Sequence, residues 1–100
     1  MTKLETNALR IAELIGLPTT PSNTYVFEQY NGLMPIMFES NKSDIDYPIT
    51  INPYQVKAYP CDEIDIYGYN TEPEFIEALQ LACIKYLELK NDNSRVQQTI

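Results

Sequence analysis

The sequence predicts an α+β domain, in which an antiparallel sheet of three to five strands is packed by an N-terminal helix and a long C-terminal helix, in the order α-β-β-β-α. Three observations predict it: a capping-box spacing before an apolar stripe at each end of the chain, an Asn-Gly dipeptide between two alternating segments, and further short alternating segments before the last helix. A chain of 100 residues is of ordinary size for one domain. We expect residues 1–90 to form it and residues 91–100 to be a flexible C-terminal tail.

The N-terminal helix is predicted over residues 3–15. Thr2 and Glu5 have the capping-box spacing, in which each side chain accepts a hydrogen bond from the backbone N–H of the other residue. Gly16 suits the left-handed position that ends a helix, and Pro18 prevents the helix from continuing. The apolar stripe of this helix is narrow, so we expect it to cover an edge of the core.

A β-hairpin is predicted over residues 24–39. Asn31-Gly32 is the preferred two-residue hairpin turn, because both residues tolerate positive φ, and Pro35 makes the second strand an edge strand or marks a bulge. Alternation places one largely apolar face towards the core: Tyr25, Phe27, Gln29, Met34, Ile36 and Phe38. The other face, which is either covered by a later loop or open to a second copy of the chain, keeps four apolar side chains: Val26, Tyr30, Leu33 and Met37.

The segment between the hairpin and the last helix is predicted to complete the sheet. Residues 40–46 form a polar connection, and residues 47–51 form a short strand. Residues 54–60 fit either a strand or an ordered loop. Residues 63–69 alternate as an acidic strand.

The C-terminal helix is predicted over residues 71–90. Thr71 and Glu74 form its capping box, and its apolar face is broad. Its polar face, which we expect to meet water, consists of Glu77, Gln80, Lys85 and Glu88. Leu81 and Ile84 lie among these polar residues, so they are either scattered exposed side chains or the contact of a homo-oligomer.

Negative charge is concentrated in one part of the chain. The formal net charge is −7, and residues 39–74 hold eight acidic and two basic side chains, a net charge of −6. Because no basic patch is present to displace counterions from a phosphate backbone, we expect no direct nucleic-acid partner. Such an acidic surface either aids solubility or binds a basic, nucleic-acid-binding protein.

Tyrosines lie within the same acidic segment. The chain has eight tyrosines and no tryptophan, and tyrosine gives contact area at a low cost in side-chain entropy. The alternative is that these tyrosines are half-buried strand residues. The residues that we predict to bind a protein partner are Asp44, Asp46, Asp62, Glu63, Asp65, Tyr67 and Tyr69.

The residue types present exclude several kinds of catalysis. Without histidine there is no His-based acid–base chemistry, no Ser-His or Cys-His nucleophile and no His-ligated metal. Two distant cysteines give no zinc motif, and three isolated glycines give no phosphate-binding loop. We therefore expect a protein that is not an enzyme and has no cofactor and no metal. A carboxylate-based metal enzyme using Asp62, Glu63 and Asp65 is the least favoured alternative.

Targeting signals are not evident in the sequence. No apolar run approaches the roughly 20 residues that a membrane-spanning helix needs, and the first ten residues lack the pattern of a signal peptide. We expect a cytoplasmic protein without a membrane partner.

The last helix and the predicted element order carry a family resemblance. Residues 55–90 resemble the small phage and prophage proteins of the phage ABA-sandwich type, through a helix pattern formed here by Glu77, Ala78, Leu79, Ala82, Cys83 and Ile84. The resemblance implies a mobile-element origin and supplies no catalytic residues. The element order is also similar to that of double-stranded-RNA-binding domains, but the acidic segment 71–74 stands where that family has a basic helix start. RNA binding by that mode is therefore not expected.

Together these observations predict a non-enzymatic, acidic protein-binding module of phage or prophage type. Inhibition of a host protein is one specific form of this function. The alternative is a structural homo-oligomer.

Overall fold

The structure, a computed structural model, describes residues 2–52, 55–58, 66–67 and 72–98. In these residues three helices precede three strands, and a fourth helix follows. The helices are α1 (Lys3–Leu14), α2 (Pro21–Phe27), α3 (Tyr30–Lys42) and α4 (Glu72–Gln98); the strands are β1 (Ile49–Asn52), β2 (Gln55–Ala58) and β3 (Ile66–Tyr67). The strands form one antiparallel sheet in the order β1-β2-β3.

The predicted α-β-β-β-α order is wrong, because the segment predicted as a hairpin is helical. Residues 24–38 belong to α2, a bend at residues 28–29, and α3. The described part of the chain is therefore mostly helix, with a small sheet of strands four, four and two residues long. The predicted division into two faces is also wrong. Phe27 and Ile36 are buried as predicted, but Leu33 and Met37 of the opposite face are buried too, and Phe38 is 51% exposed.

Local signals explain why these residues are helical. The Thr20 side chain accepts a hydrogen bond from the backbone N–H of Asn23 at 3.4 Å and so caps α2, while Pro21 occupies the start of the helix, where its missing N–H costs nothing. A continuous apolar run satisfies alternation and helical spacing equally well, so periodicity alone does not separate the two. The buried residues of α3 follow the helical spacing: Leu33, Ile36, Met37 and Ser40.

Gly32 has a packing role in place of the predicted turn. A Cβ at this position would lie 2.7 Å from the carbonyl carbon of Val26 and 2.8 Å from its Cγ1. Real Cβ atoms essentially never lie within 3.0 Å of such neighbouring atoms. The start of α3 can therefore cross the end of α2 only because residue 32 has no side chain.

The N-terminal helix agrees with the prediction. The Thr2 backbone N–H donates to Glu5 Oε1 at 3.0 Å, and the Glu5 N–H donates to the Thr2 hydroxyl at 3.1 Å, which completes the capping box. Gly16 has a φ of +79°, the left-handed conformation predicted at the end of this helix.

The C-terminal helix α4 is central to the fold, since it packs against α1, α3 and β2. The broad apolar face that the sequence predicts is present, and its buried members are Ile76, Ala78, Leu79, Ala82, Cys83, Tyr86 and Leu87. Gln80, which was expected to meet water, is completely buried, so that prediction is wrong. The predicted cap Thr71 lies outside the described residues, and α4 continues past Lys90 to Gln98, into the segment predicted as a tail.

The sheet lies between α3 and α4 in the chain. β1 corresponds to the strand predicted over residues 47–51, and β2 lies in the segment that fitted either a strand or a loop. Ile49 pairs with Ala58, and both are buried. Two side chains of α3 hold β1: the Ile49 N–H donates to the Ser40 hydroxyl at 3.3 Å, and Asn41 Nδ2 donates to the Ile49 carbonyl at 3.0 Å. Among the described residues, no helix is long and apolar enough to cross a membrane.

Candidate functional site

The acidic surface predicted from the sequence is only partly described. Asp44 and Asp46 are exposed in residues 43–46, the bend that joins α3 to β1. Tyr67 belongs to β3. The other predicted partner-binding residues, which lie outside the described residues, are Asp62, Glu63, Asp65 and Tyr69.

The bend that carries the two aspartates is ordered by its own hydrogen bonds. The Ile45 N–H donates to the Ser43 hydroxyl at 3.0 Å, and the Tyr47 N–H donates to the Ile45 carbonyl at 2.8 Å. Ile45 packs against the core, so its neighbours Asp44 and Asp46 project outwards on either side of an anchored residue. The two carboxylates are thus presented on a fixed turn.

The two surfaces predicted as alternative contacts for a second copy differ in outcome. The face of Val26, Tyr30, Leu33 and Met37 does not exist as a surface, because Leu33 and Met37 are in the core. Leu81 and Ile84 are both partly buried on α4, and Ile84 packs against the core cluster.

A groove of about 470 Å³ lies between α1 and α2, in a place that sequence reasoning did not identify. Volumes of this order are usual for sites that hold small molecules. The groove is lined by Glu5, Leu9, Thr19, Thr20, Pro21, Thr24, Tyr25 and Glu28. The sequence signal for it was the Thr20-Pro21 helix start, since without α2 the groove has no second wall.

Gln80 fixes the two walls of the groove relative to each other. Its Nε2 donates to the Leu4 carbonyl of α1 at 3.1 Å and to the Phe27 carbonyl at the end of α2 at 2.7 Å. Its Oε1 accepts from Asn7 Nδ2 at 3.2 Å. The last carbonyls of a helix have no partner within it, so Gln80 supplies one to α2 from the core.

The groove is acidic. Glu5 and Glu28 are the two acidic residues among its described lining, which contains no basic residue. The pKa of Glu5 is lowered by the hydrogen bond from the Thr2 backbone N–H and then by the Thr2 side chain. Oε1 of Glu28 is enclosed and has no hydrogen-bond partner. The ring of Tyr25 is 64% exposed beside them.

Two of the hydroxyl groups in the groove belong to the structure of α2. The Thr20 side chain caps the helix, and the Thr24 hydroxyl donates to the Thr20 carbonyl at 3.2 Å. Glu5 Oε1 likewise accepts from the Thr2 N–H in the capping box, so the polar lining residues without such a structural role are Glu28, Tyr25 and Thr19.

No described side chain has the character of an activated nucleophile. Burial raises the pKa of the Cys83 thiol to about 12, so this cysteine is protonated at neutral pH within the core. Burial also raises the pKa of Tyr86. Among the described residues, no group of three or more Cys, Asp or Glu side chains is placed to hold a metal ion.

No protein-family model matches this chain, and neither a curated protein nor a solved structure matches it. Functional assignment therefore depends on the charge, geometry and chemistry of the chain itself.

Proposed function

We propose that this chain is a non-enzymatic protein-binding module that acts through its acidic surface on a basic protein. The observation that carries the proposal is the charge distribution: residues 39–74 hold a net charge of −6 out of −7. Charge concentrated on one surface steers an oppositely charged partner and raises its association rate. Asp44 and Asp46, exposed on their ordered turn, are the described members of this surface.

The inventory of reactive groups supports binding over catalysis. The chain has no histidine, and its described cysteine is a protonated core residue. Carboxylates remain the main reactive groups, and Asp44 and Asp46 are exposed. Exposed carboxylates of this kind suit the recognition of an oppositely charged partner.

A nucleic-acid-binding protein of the host is the specific partner class that we favour. An acidic surface resembles a phosphate backbone in charge, so it can occupy a basic groove that otherwise binds nucleic acid and thereby inhibit the partner. A phage or prophage origin is part of this proposal, supported by the resemblance of residues 55–90. Gene neighbourhood tests that origin directly. A cytoplasmic location is implied by the same proposal.

The alternative, a structural homo-oligomer, has less support. Its remaining contact residues, Leu81 and Ile84, are partly buried within the chain's own fold, which leaves little apolar area for a stable interface.

The acidic surface is tested by capturing partner proteins from a bacterial lysate with the wild type and two variants in parallel. The wild type is compared with a variant carrying Asp62→Asn, Glu63→Gln and Asp65→Asn, and with a control carrying Glu13→Gln, Glu77→Gln and Glu88→Gln. Both variants lose three negative charges, but the control leaves residues 39–74 unchanged. We expect the control and the wild type to retain a common basic partner that the first variant loses, and to release it as salt is raised. Equal recovery by all three proteins would contradict the proposal.

A further inference from the structure

We infer that Tyr86 of α4 is a positioning residue, which holds the bend of residues 43–46 so that Asp44 and Asp46 meet a partner in a fixed geometry. The inference rests on the proposed function and deepens it, since it concerns how the acidic surface is presented. Tyr86 is 1% exposed and cannot reach a partner itself, so its role in recognition is exerted through the bend.

Both ends of the bend contact Tyr86. At the first end, the Ser43 side chain is hydrogen-bonded to the Tyr86 hydroxyl. At the other end, the ring of Tyr47 stacks on the ring of Tyr86, with centroids 6.5 Å apart and an interplanar angle of 24°. Tyr47 is also 1% exposed, so this end of the bend is fixed in the core. A turn whose two ends are held by one packed helical residue has little freedom to change its shape.

The Ser43 hydroxyl connects Tyr86 to the middle of the bend. It accepts a hydrogen bond from the Ile45 N–H at 3.0 Å, between the two aspartates. The Ile45 side chain packs against the core, so both its backbone and its side chain are held. Because Asp44 and Asp46 are the neighbours of Ile45 in the chain, the positions of their carboxylates depend on this anchored residue.

An ion pair on the far side of Tyr86 orients its hydroxyl. The Tyr86 hydroxyl is also hydrogen-bonded to Glu39, and Lys90 Nζ lies 2.8 Å from Glu39 Oε1. An ionised carboxylate only accepts, so Tyr86 donates to Glu39 and its oxygen can accept from Ser43. The pKa of Tyr86 agrees with these directions: burial raises it most, the hydrogen bond from Ser43 lowers it, and that to Glu39 raises it. The chain of hydrogen bonds therefore runs from the bend through Ser43 and Tyr86 to Glu39.

A fixed bend favours binding because it needs no ordering when the partner arrives. A loop that becomes ordered only in the complex loses conformational entropy on binding, and a pre-organised loop avoids this loss. Two carboxylates held on a fixed turn also select partners whose basic groups have the matching spacing. Tyr86 thus contributes to the specificity of the acidic surface, to which it adds no charge.

Variants that keep the net charge of −7 test this role. Tyr86→Phe removes the hydroxyl and keeps the ring that stacks on Tyr47. Ser43→Ala removes the other partner of the same hydrogen bond, and Ser43→Thr restores a hydroxyl at that position. Tyr25→Phe, which removes a hydroxyl from a tyrosine of α2 that is 64% exposed, is the matched control for Tyr86→Phe.

The first measurement is the backbone mobility of the free protein, from nitrogen-15 relaxation. We expect the amide order parameters of residues 44–46 to be about 0.85 in the wild type, in Ser43→Thr and in Tyr25→Phe. We expect them to fall below about 0.6 in Tyr86→Phe and Ser43→Ala. Unchanged amide chemical shifts in β1 and β2 establish that the sheet of each variant remains folded.

Two outcomes of this measurement would overturn the inference. The first is wild-type order of the bend in both Tyr86→Phe and Ser43→Ala. The second is an equal loss of order in Ser43→Ala and Ser43→Thr, because packing and not the hydroxyl would then hold the bend.

The second measurement is capture of the basic partner from a bacterial lysate by the same five proteins. We expect Tyr86→Phe and Ser43→Ala to recover at least fivefold less partner than the wild type, and Ser43→Thr and Tyr25→Phe to recover as much as the wild type. A decalysine peptide should bind all five proteins with the same dissociation constant, because their net charge is equal.

The two measurements separate this inference from the proposed function. Equal recovery of the partner by all five proteins, despite a disordered bend in two of them, would overturn the role of Tyr86 in recognition. A parallel loss of decalysine binding would overturn it too, since the effect would then be on charge and not on shape. If the wild type itself recovers no basic protein, the proposed function fails, while the order parameters still decide whether Tyr86 holds the bend.

Discussion

Two interfaces hold α4 in this protein, and they differ in kind. Where α1 packs on α4, the contact is made by small residues such as Ala8 and Ala12, with the fully buried Gln80 bonded to both α1 and α2. Where α3 and the start of the sheet meet α4, the ring of Tyr47 stacks on Tyr86 with centroids 6.5 Å apart. At the edge of this second interface, Lys90 of α4 and Glu39 of α3 form an exposed ion pair.

The neutral polar contact of Gln80 stabilises the fold more than the charged pair of Glu39 and Lys90. Lys90 Nζ lies 2.8 Å from Glu39 Oε1, but their side chains are 43% and 47% exposed, so water and salt screen the pair. Gln80 carries no net charge, but its side chain is fully buried and its bond to the Phe27 carbonyl is enclosed, so water cannot replace that bond. Removing a buried hydrogen-bond partner therefore lowers the free energy of unfolding more than removing an exposed charge does.

The largest effect is expected from Gln80→Leu, which keeps the approximate volume and removes every hydrogen bond. The Phe27 carbonyl and the Asn7 amide would lose their buried partner, so we expect the free energy of unfolding to fall by about 3 kcal/mol. Urea denaturation at neutral pH measures this change in the free energy of unfolding, and Glu77→Ala, at a partly exposed position of α4, is the control. A loss below about 1 kcal/mol would show that Gln80 is not the polar centre of this interface.

An intermediate effect is expected from Gly32→Ala, which tests how α3 is positioned for its contact with α4. Helix propensity alone favours alanine by about 1 kcal/mol, so the variant would be more stable if α3 stood alone. The overlap of the new Cβ with the Val26 backbone should reverse the sign and lower stability by about 2 kcal/mol. Asn31→Ala, an exposed neighbour in the same turn of helix, is the control. Stabilisation of both variants would contradict the close crossing of α2 and α3.

The smallest effect is expected from Glu39→Gln at the edge of the second interface. The hydrogen bond from Lys90 lowers the pKa of Glu39, and the same bond raises the pKa of Lys90. The pair therefore stabilises the fold above the ordinary glutamate pKa of 4.5, and this contribution is lost as pH falls through the lower folded-state value. At the alkaline end it is lost as pH rises through the raised pKa of Lys90.

Measurements of the free energy of unfolding across pH test whether the Glu39–Lys90 pair stabilises the fold between these two limits. At pH 7 we expect Glu39→Gln to cost less than about 1 kcal/mol, and the difference from the wild type to shrink both below pH 4.5 and in 1 M salt. A deficit that does not change with pH or salt would mean that Glu39 acts through packing and not through its charge.

Elements whose signals lie within one helical turn can be predicted from the residues alone. The Thr2–Glu5 capping box and the left-handed Gly16 depend on neighbours a few residues away, so α1 is specified locally. The apolar face of α4 can also be predicted from the sequence, because its apolar residues recur at the helical period. Net charge and the lack of histidine are also properties of composition alone.

Long-range packing selects helix over strand in residues 24–38, and the core over solvent for Gln80. An apolar run fits both periodicities, and the choice depends on which surface is available to cover it. Asn31-Gly32 is a good hairpin turn in isolation, but a glycine is also what two closely crossing helices require. Gln80 can be buried because Leu4, Asn7 and Phe27, which are distant in sequence, provide its hydrogen-bond partners. The same hydrogen bonds link α1 to α2, the two walls of the groove. Partners so far apart in sequence leave no local pattern, which is why only folding reveals them.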